Sequence, residues 1–191
     1  MNALANASHY LIPAFWLAWL AIWIAASFSV KRTQEREGWR DAIYNRAPVL
    51  LGAVMIAAPG WLPAELTRRL LWGPAGPAAG TILVAAGLAF AVWARWHLGR
   101  NWSGTVTVKR GHTLIRTGPY GAVRHPIYSG MLLALSGTAL AMGEPRGFIG
   151  AALILAGFIV KLHAEEARMR ETFPDYADYC RNTARLIPGL Y

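Results

Sequence analysis

The chain has 191 residues, of which 55% are hydrophobic and only 15% are charged. Ordinary soluble domains have about 25% charged residues, so this composition argues against a water-soluble fold and indicates a membrane protein. The net charge of +9 is typical of basic cytoplasmic loops; because the sequence has no zinc spacing or basic-aromatic module, it does not indicate nucleic-acid binding.

Five apolar stretches predict membrane-spanning helices. The first has no charged residue over positions 10–30, long enough at 1.5 Å per residue to cross the roughly 30 Å hydrocarbon layer. Since residues 1–9 contain no Lys or Arg, we expect an uncleaved helix rather than a signal peptide. The other four stretches are residues 47–62, 78–96, 127–142 and 148–162. The last two are separated by a short turn and therefore predict a helical hairpin.

The predicted fold is an all-α integral membrane protein with five transmembrane helices. Residues 1–97 hold the first three spans, and residues 98–191 hold a polar loop (98–126), the hairpin (127–162) and a short helical tail (163–191). Sixteen of the 19 Lys and Arg residues fall in segments 31–46, 95–126 and 161–191, which alternate with the spans. This asymmetry predicts that the polar loop and the C-terminus are cytoplasmic and that the N-terminus is outside.

The polar module, Leu98 to Tyr128, is the longest polar interval between apolar segments. It contains seven Lys, Arg or His residues and no acidic residue. Its Gly118-Pro119 pair predicts a turn, and Pro126 predicts the first residue of the fourth helix, with His125 at the N-cap. A helix start here can hold an anionic or polar group, although an Arg-His-Tyr belt that anchors the helix is the alternative.

Other classes of site find little support in the sequence. No phosphate-binding glycine motif, HExxH motif or paired histidine spacing occurs, so neither a Rossmann cofactor nor a metal site is predicted. Cys180 is the single cysteine, which excludes a disulfide framework. Glu165 and Glu166 follow the fifth span, where acidic residues are not expected. They either pair with Arg168 and Arg170 or face a cation, near the start of the fourth helix.

These two regions together resemble the isoprenylcysteine carboxyl methyltransferase family, which are integral membrane enzymes that use S-adenosylmethionine. The resemblance covers residues 98–188, about half of the chain. The family pattern G-x-Y-x-x-x-R-H-P-x-Y corresponds here to Gly118, Tyr120, Arg124, His125, Pro126 and Tyr128. The preceding H-x-L-[VI] element corresponds to His112–Ile115, and the acidic C-terminal pattern corresponds to Glu165, Glu166, Met169, Phe173, Pro174, Tyr176 or Ala177, and Tyr179.

The resemblance implies that S-adenosylmethionine is bound and that S-adenosylhomocysteine is released. It also implies cofactor contacts at His112, Thr113, Leu114, Ile115, Tyr120, His125, Pro126, Ile127, Tyr128 and Glu165. His125, Tyr128 and Glu165 are the implied catalytic residues, and Lys161 is the implied substrate-binding residue. The chain departs from the family at Lys161, where relatives often have Arg, and at Phe173-Pro174, where they usually have Phe-Gly.

The implied reaction is in-line attack on the sulfonium methyl group, with an isoprenylcysteine-like or other lipophilic acceptor in the bilayer. A carboxylate acceptor is already ionised and needs no strong base, whereas an amine or thiol needs one. Phospholipid amines and small thiols therefore stay open as acceptors. An NADPH-dependent sterol reductase is the alternative from another class, because such enzymes end in a similar R-H-x-x-Y segment.

Overall fold

The computed structural model describes residues 2–28, 39–99 and 114–189. Within these ranges the chain forms α-helices and short 3-10 turns, and its one β-type contact is an isolated parallel bridge between Val123 and Ala184. The helices are α1 (Asn2–Ser27), α2 (Trp39–Ala57), α3 (Ala64–Thr67), α4 (Ala75–Leu98), α5 (Pro126–Met142), α6 (Pro145–Thr172) and α7 (Tyr176–Asn182). The predicted all-α fold is confirmed.

Three helices are long and apolar enough to cross a membrane. They are α1 from Ala3 onward, α4 and α6. The apolar part of α2, residues 46–57, and the whole of α5 are shorter. Each predicted span falls on one of these five helices, but the number that crosses the bilayer stays a prediction.

Helices α4 and α5 pack antiparallel through paired glycines. A Cβ atom at Gly80 would lie 2.4 Å from the Gly137 oxygen, and one at Gly87 would lie 2.5 Å from the Gly130 oxygen. Small residues let helix backbones approach this closely in lipid, where no hydrophobic effect drives helices together. The seven-residue spacing on both helices places the contacts on one face of each, so α4 holds α5 in a fixed register.

Helices α2 and α6 form the second close pair. A Cβ atom at Gly52 would lie 2.4 Å from the Gly150 oxygen. The buried Arg146, near the start of α6, donates hydrogen bonds to the carbonyls of Met55 and Ile56 at the C-terminal end of α2. Because the last carbonyls of a helix lack partners within it, this arginine satisfies the end of α2.

The ends of α1 and α4 and the start of α5 lie at the same end of the bundle, which we call the polar end. Arg95 near the end of α4 donates 2.8 Å hydrogen bonds to the carbonyls of Ala26 in α1 and of Gly99. His97 lies against Gly118, just before α5. Since α6 returns antiparallel to α5, its C-terminal part lies here too. This alternation agrees with the predicted sidedness, and the absolute orientation stays a prediction.

Helix α6 is longer than the sequence analysis predicted. The fifth span was expected to end at residue 162, but α6 continues to Thr172 and therefore includes Glu165 and Glu166. Residues 163–172 contain no Gly or Pro, and ion pairs from Lys161 to Glu165 and from Glu166 to Arg170 link successive turns. At its other end α6 also starts earlier than expected: α5 ends at Met142 and α6 begins at Pro145, so the connection between them is short.

Replacement of Gly87 with Val is expected to destabilise the α4–α5 pair. The new Cβ would meet the backbone of Gly130 and Ala134 at 2.5 and 2.6 Å, and backbone atoms cannot move aside as a side chain can. Overpacking of about 1–3 kcal/mol would lower Tm in detergent by about 5 °C. Gly60→Val is the control, since no atom lies within 4 Å of its Cβ position. Equal Tm values for both variants would contradict this packing.

Candidate functional site

The start of α5 forms one wall of the candidate site. The predicted turn is present as a 3-10 helix at Gly118–Gly121, and α5 begins at Pro126 with His125 as its N-cap, as predicted. Pro126 is fully buried, and the ring of His125 stacks on the ring of Tyr128 with centroids 5.7 Å apart. The positive end of the α5 dipole therefore lies beside a buried imidazole and a tyrosine.

Glu165 faces this wall from α6. The Tyr128 hydroxyl donates a 2.9 Å hydrogen bond to Glu165 Oε1. His125 Nδ1 lies 3.7 Å from Glu165 Oε2, and Lys161 Nζ lies 3.9 Å from Glu165 Oε1. The Glu165 side chain keeps 21% exposure, so it remains accessible to a ligand. The fold thus brings together His125, Tyr128, Lys161 and Glu165, which the sequence analysis selected separately.

Glu166 has a different environment, because adjacent residues of an α-helix point about 100° apart. Its side chain is fully buried and accepts hydrogen bonds from three arginines and from His125 Nε2, at 3.3 Å. The nearest arginine atoms are Arg124 Nε at 2.8 Å, Arg185 Nη2 at 3.0 Å and Arg170 Nη2 at 3.1 Å. Of the two alternatives left open for the acidic pair, pairing with a local arginine applies to Glu166, which contacts Arg170, whereas Glu165 faces the site.

Tyr120 is buried in the turn that precedes α5. Its carbonyl accepts a 2.6 Å hydrogen bond from the Tyr179 hydroxyl of α7, and its ring stacks on the His97 ring at a centroid distance of 6.4 Å. Burial raises the pKa of Tyr120 far above its usual value, and the charges of Tyr179 and Glu165 raise it further. The phenol is therefore neutral at physiological pH, and its ring packs against His97.

The remaining predicted contacts have simpler positions. Leu114 and Ile115 are half-buried in extended chain before the turn, and Ile127 is half-buried in the first turn of α5. His112 and Thr113 lie outside the described residues. Among the described residues, no three His, Cys, Asp or Glu side chains form a group that could hold a metal ion.

An apolar groove lies directly behind the polar cluster. The Tyr128 ring contacts the Phe158 ring with centroids 4.8 Å apart, on the same two helices whose next turns line a groove between α5 and α6. The groove has a volume of about 260 Å³ and is lined by residues of α5 from Leu132 to Ala139 and of α6 from Phe148 to Leu155. Leu132 follows Tyr128 by about one helical turn. Polar and apolar surfaces are thus continuous along the same helix pair.

The sequence analysis missed the docking of the C-terminal segment, residues 183–186. The backbone amides of Arg124 and His125 donate to the carbonyls of Ala184 and Arg185, at 2.9 and 3.1 Å. The Ser129 hydroxyl donates a 2.6 Å hydrogen bond to the Leu186 carbonyl, and Leu186 is buried. The sequence signal for this docking was Arg185 followed by the apolar residues Leu186 and Ile187. No periodic pattern links these residues to α5.

Comparison with known proteins finds a family model and a curated relative that match this chain. A sequence model described as phospholipid methyltransferase matches residues 76–176, from α4 to the start of α7. The cobalt-zinc-cadmium resistance protein CzcN of Cupriavidus metallidurans is 32% identical over 97 residues, or 49% of this chain and 44% of that protein.

A solved structure of the eukaryotic intramembrane Ras methyltransferase ICMT (isoprenylcysteine carboxyl methyltransferase) has a similar fold. The TM-score is 0.53 at 20% identity, and the match covers 78% of this chain and 63% of that one. The resemblance read from the sequence is therefore confirmed at the level of fold and superfamily. This chain spans less than two thirds of the length of either of these two relatives.

Proposed function

Because the chain belongs to the phospholipid methyltransferase family, we propose that it is a membrane-embedded enzyme that transfers a methyl group from S-adenosylmethionine. The acceptor we favour is the carboxylate of an isoprenylcysteine-like or other lipophilic molecule. The observation that carries this proposal is the convergence of His125, Tyr128, Lys161 and Glu165 between the start of α5 and an apolar groove.

The residues present fit the amino-acid part of this cofactor, which carries one ammonium and one carboxylate group. Glu165 is a partly exposed carboxylate suited to the ammonium. The start of α5 offers the positive end of a helix dipole, suited to the carboxylate. Opposite charges are therefore offered within one site. Leu114, Ile115 and Tyr120 would supply the less polar walls, and the predicted contacts at His112 and Thr113 belong to the same proposal.

If the acceptor is a carboxylate, the reaction needs no general base from the protein. When bound, S-adenosylmethionine supplies an electrophilic methyl group. The acceptor carboxylate is ionised at neutral pH, so the side chains act by positioning it and by excluding water. The Tyr128–Phe158 ring pair supplies apolar surface beside the cluster, and this surface would help to exclude water once an acceptor is bound. With an amine or thiol acceptor, His125, Tyr128 or Glu165 would take the proton.

The groove between α5 and α6 suits an acceptor with a long apolar chain. Its lining consists of Ala, Leu and Phe side chains and one Ser, and Tyr128 lies about one helical turn before the lining residue Leu132. We place the apolar chain of the acceptor there and its polar group at Lys161. A lysine provides a point charge rather than the two-pronged geometry of arginine, so it can bind either a carboxylate or a phosphate. Phospholipid amines are the second candidate acceptor, which the family's name favours.

The site is proposed to face the cytoplasm. The C-terminal ends of α1 and α4, the start of α5 and the C-terminal part of α6 lie at the polar end. In the sequence these helix ends adjoin segments 31–46, 95–126 and 161–191, which contain 16 of the 19 Lys and Arg residues. Basic segments stay preferentially on the cytoplasmic side of a membrane. The N-terminus would then lie outside, and the methyl donor would reach the site from the cytosol.

Ligand binding tests the reaction class. The protein purified in detergent is expected to gain thermal stability with S-adenosylhomocysteine and to show no change with NADPH. Stabilisation by NADPH alone would refute the methyltransferase and support a reductase. Transfer of a radiolabelled methyl group to a panel of prenylcysteines, phospholipids and thiols then identifies the acceptor. Labelling of phospholipid amines alone would replace the carboxylate proposal with the second candidate.

Replacement of Lys161 with Met is expected to weaken acceptor binding while leaving the donor site intact. The change removes the cation beside the groove but keeps the length of the aliphatic stem, so KM for an anionic acceptor should rise about tenfold. The Kd for S-adenosylhomocysteine should change less than about threefold. Lys161→Arg is the matched control that retains the charge. A rise in the donor Kd with no rise in the acceptor KM would assign Lys161 to the donor.

A further inference from the structure

The buried carboxylate of Glu166 connects the C-terminal segment, residues 183–186, to the candidate site. Arg185 binds it through two atoms, with Nη2 at 3.0 Å from Oε2 and Nε at 3.2 Å from Oε1. Arg185 Nη1 also donates to His163 Nε2 at 3.2 Å, since a guanidinium can only donate. The arginine is thus attached to α6 at two successive turns, although 19 residues separate it from Glu166 in the chain.

His125 is held by this same assembly from two directions. Its backbone amide donates a 3.1 Å hydrogen bond to the Arg185 carbonyl. Its ring Nε2 donates to Glu166 Oε1 at 3.3 Å, because a carboxylate can only accept. The other ring nitrogen, Nδ1, then faces Glu165 at 3.7 Å. The orientation of the imidazole toward the site therefore depends on Glu166 and on the segment that carries Arg185.

We propose that Arg185 is a positioning residue for the candidate cofactor site. It fixes Glu166 and the backbone of His125, and through them the wall that opposes Glu165. The C-terminal segment therefore acts on the donor site, and the residues that line the apolar groove belong to α5 and α6. The proposal rests on the proposed function through the ligand used below.

Separate measurements of donor binding (Kd and KM) and of the acceptor KM distinguish this positioning role from a general structural one. In Arg185→Ala, the Kd for S-adenosylhomocysteine and the KM for S-adenosylmethionine should rise about tenfold or more, while the acceptor KM stays within about twofold. Arg185→Lys should fall between, because it keeps the charge but loses the two-pronged contact. Arg181→Ala is the control, since it removes an arginine of the same C-terminal region whose ion pair is with the exposed Asp178 rather than with Glu166. Equal changes in donor and acceptor constants, or none, would overturn the proposal.

A second measurement needs no ligand. Hydrogen exchange of the peptide spanning residues 120–128 should accelerate in Arg185→Ala and not in Arg181→Ala. The backbone carbonyl of residue 185 accepts from the His125 amide, and without the guanidinium contacts to Glu166 the segment that supplies this carbonyl is held less tightly. Unchanged hydrogen exchange in Arg185→Ala would overturn the positioning role, whether or not the protein binds S-adenosylhomocysteine. Failure of the wild-type protein to bind S-adenosylhomocysteine would instead count against the proposed function. If Arg185→Ala does not fold, the binding and hydrogen-exchange measurements are made on Arg185→Lys. Wild-type values in both measurements would then refute the positioning role of Arg185.

Discussion

Replacement of Glu165 with Ala is expected to lower the affinity for S-adenosylhomocysteine about 100-fold, which corresponds to ~3 kcal/mol. The side chain lies within 4 Å of Lys161, His125 and Tyr128 and is partly exposed, so it is the carboxylate that a cationic ligand group can reach. Calorimetry in detergent measures the affinity directly. Glu165→Gln should lose less, about tenfold, because it still accepts the Tyr128 hydrogen bond.

The control for this prediction is Glu171→Ala, which removes an exposed carboxylate from the same helix. It should bind S-adenosylhomocysteine as the wild type does. Since Glu165 is only partly buried, its loss should change Tm by a few degrees at most. A wild-type affinity in Glu165→Ala would show that the ammonium group binds elsewhere, and the assignment of the donor site would then be wrong.

The local elements of the candidate site could be predicted because their signals are short-range. Pro126 fixes the first turn of α5, and Gly118 takes a positive φ of 57° that favours glycine in the turn before it. These preferences are encoded within a few residues. The short hairpin already predicted that the acidic pair lies near the start of α5, and the resemblance to a family then distinguished Glu165 from Glu166 and supplied Lys161.

The long-range partners could not be predicted for a physical reason. Glu165 and Glu166 are equivalent in sequence pattern, and their different roles follow from which face of α6 meets α5 and the tail. That rotation is set by the Gly52–Gly150 contact with α2, far from the site. The length of α6 was underestimated because the apolar run ends ten residues before the helix does, at Thr172. Arg185 had no periodic pattern that could link it to Glu166.

The two adjacent carboxylates therefore have different roles, Glu165 in ligand binding and Glu166 in the structure. Glu165 is 21% exposed and faces the start of α5, whereas Glu166 is fully buried and holds that start in place. A ligand can compete for the partners of the first but not for those of the second. Loss of Glu165 should consequently affect binding, and loss of Glu166 should affect the fold.

Replacement of Glu166 with Ala is expected to reduce the stability of the protein more than any other single change considered for this chain. It leaves Arg124, Arg170 and Arg185 close together with no carboxylate between them. Removing one partner of a buried ion pair costs about 3–5 kcal/mol, because the Arg124 and Arg185 side chains, 9% and 19% exposed, would then lie close together without a compensating negative charge. For a chain of this size the expected fall in Tm is about 10 °C.

A double-mutant cycle separates this charge network from simple loss of packing. If Arg185 stabilises the protein chiefly through Glu166, Arg185→Ala should cost little once Glu166 is already Ala, and the two changes should be non-additive by about 1 kcal/mol or more. Asp178→Asn, at an exposed ion pair with Arg181, should leave Tm within about 2 °C. Additive effects of the Glu166 and Arg185 changes would mean that the contact between them contributes nothing. In that case the C-terminal segment would be held by its backbone hydrogen bonds and by the burial of Leu186 alone.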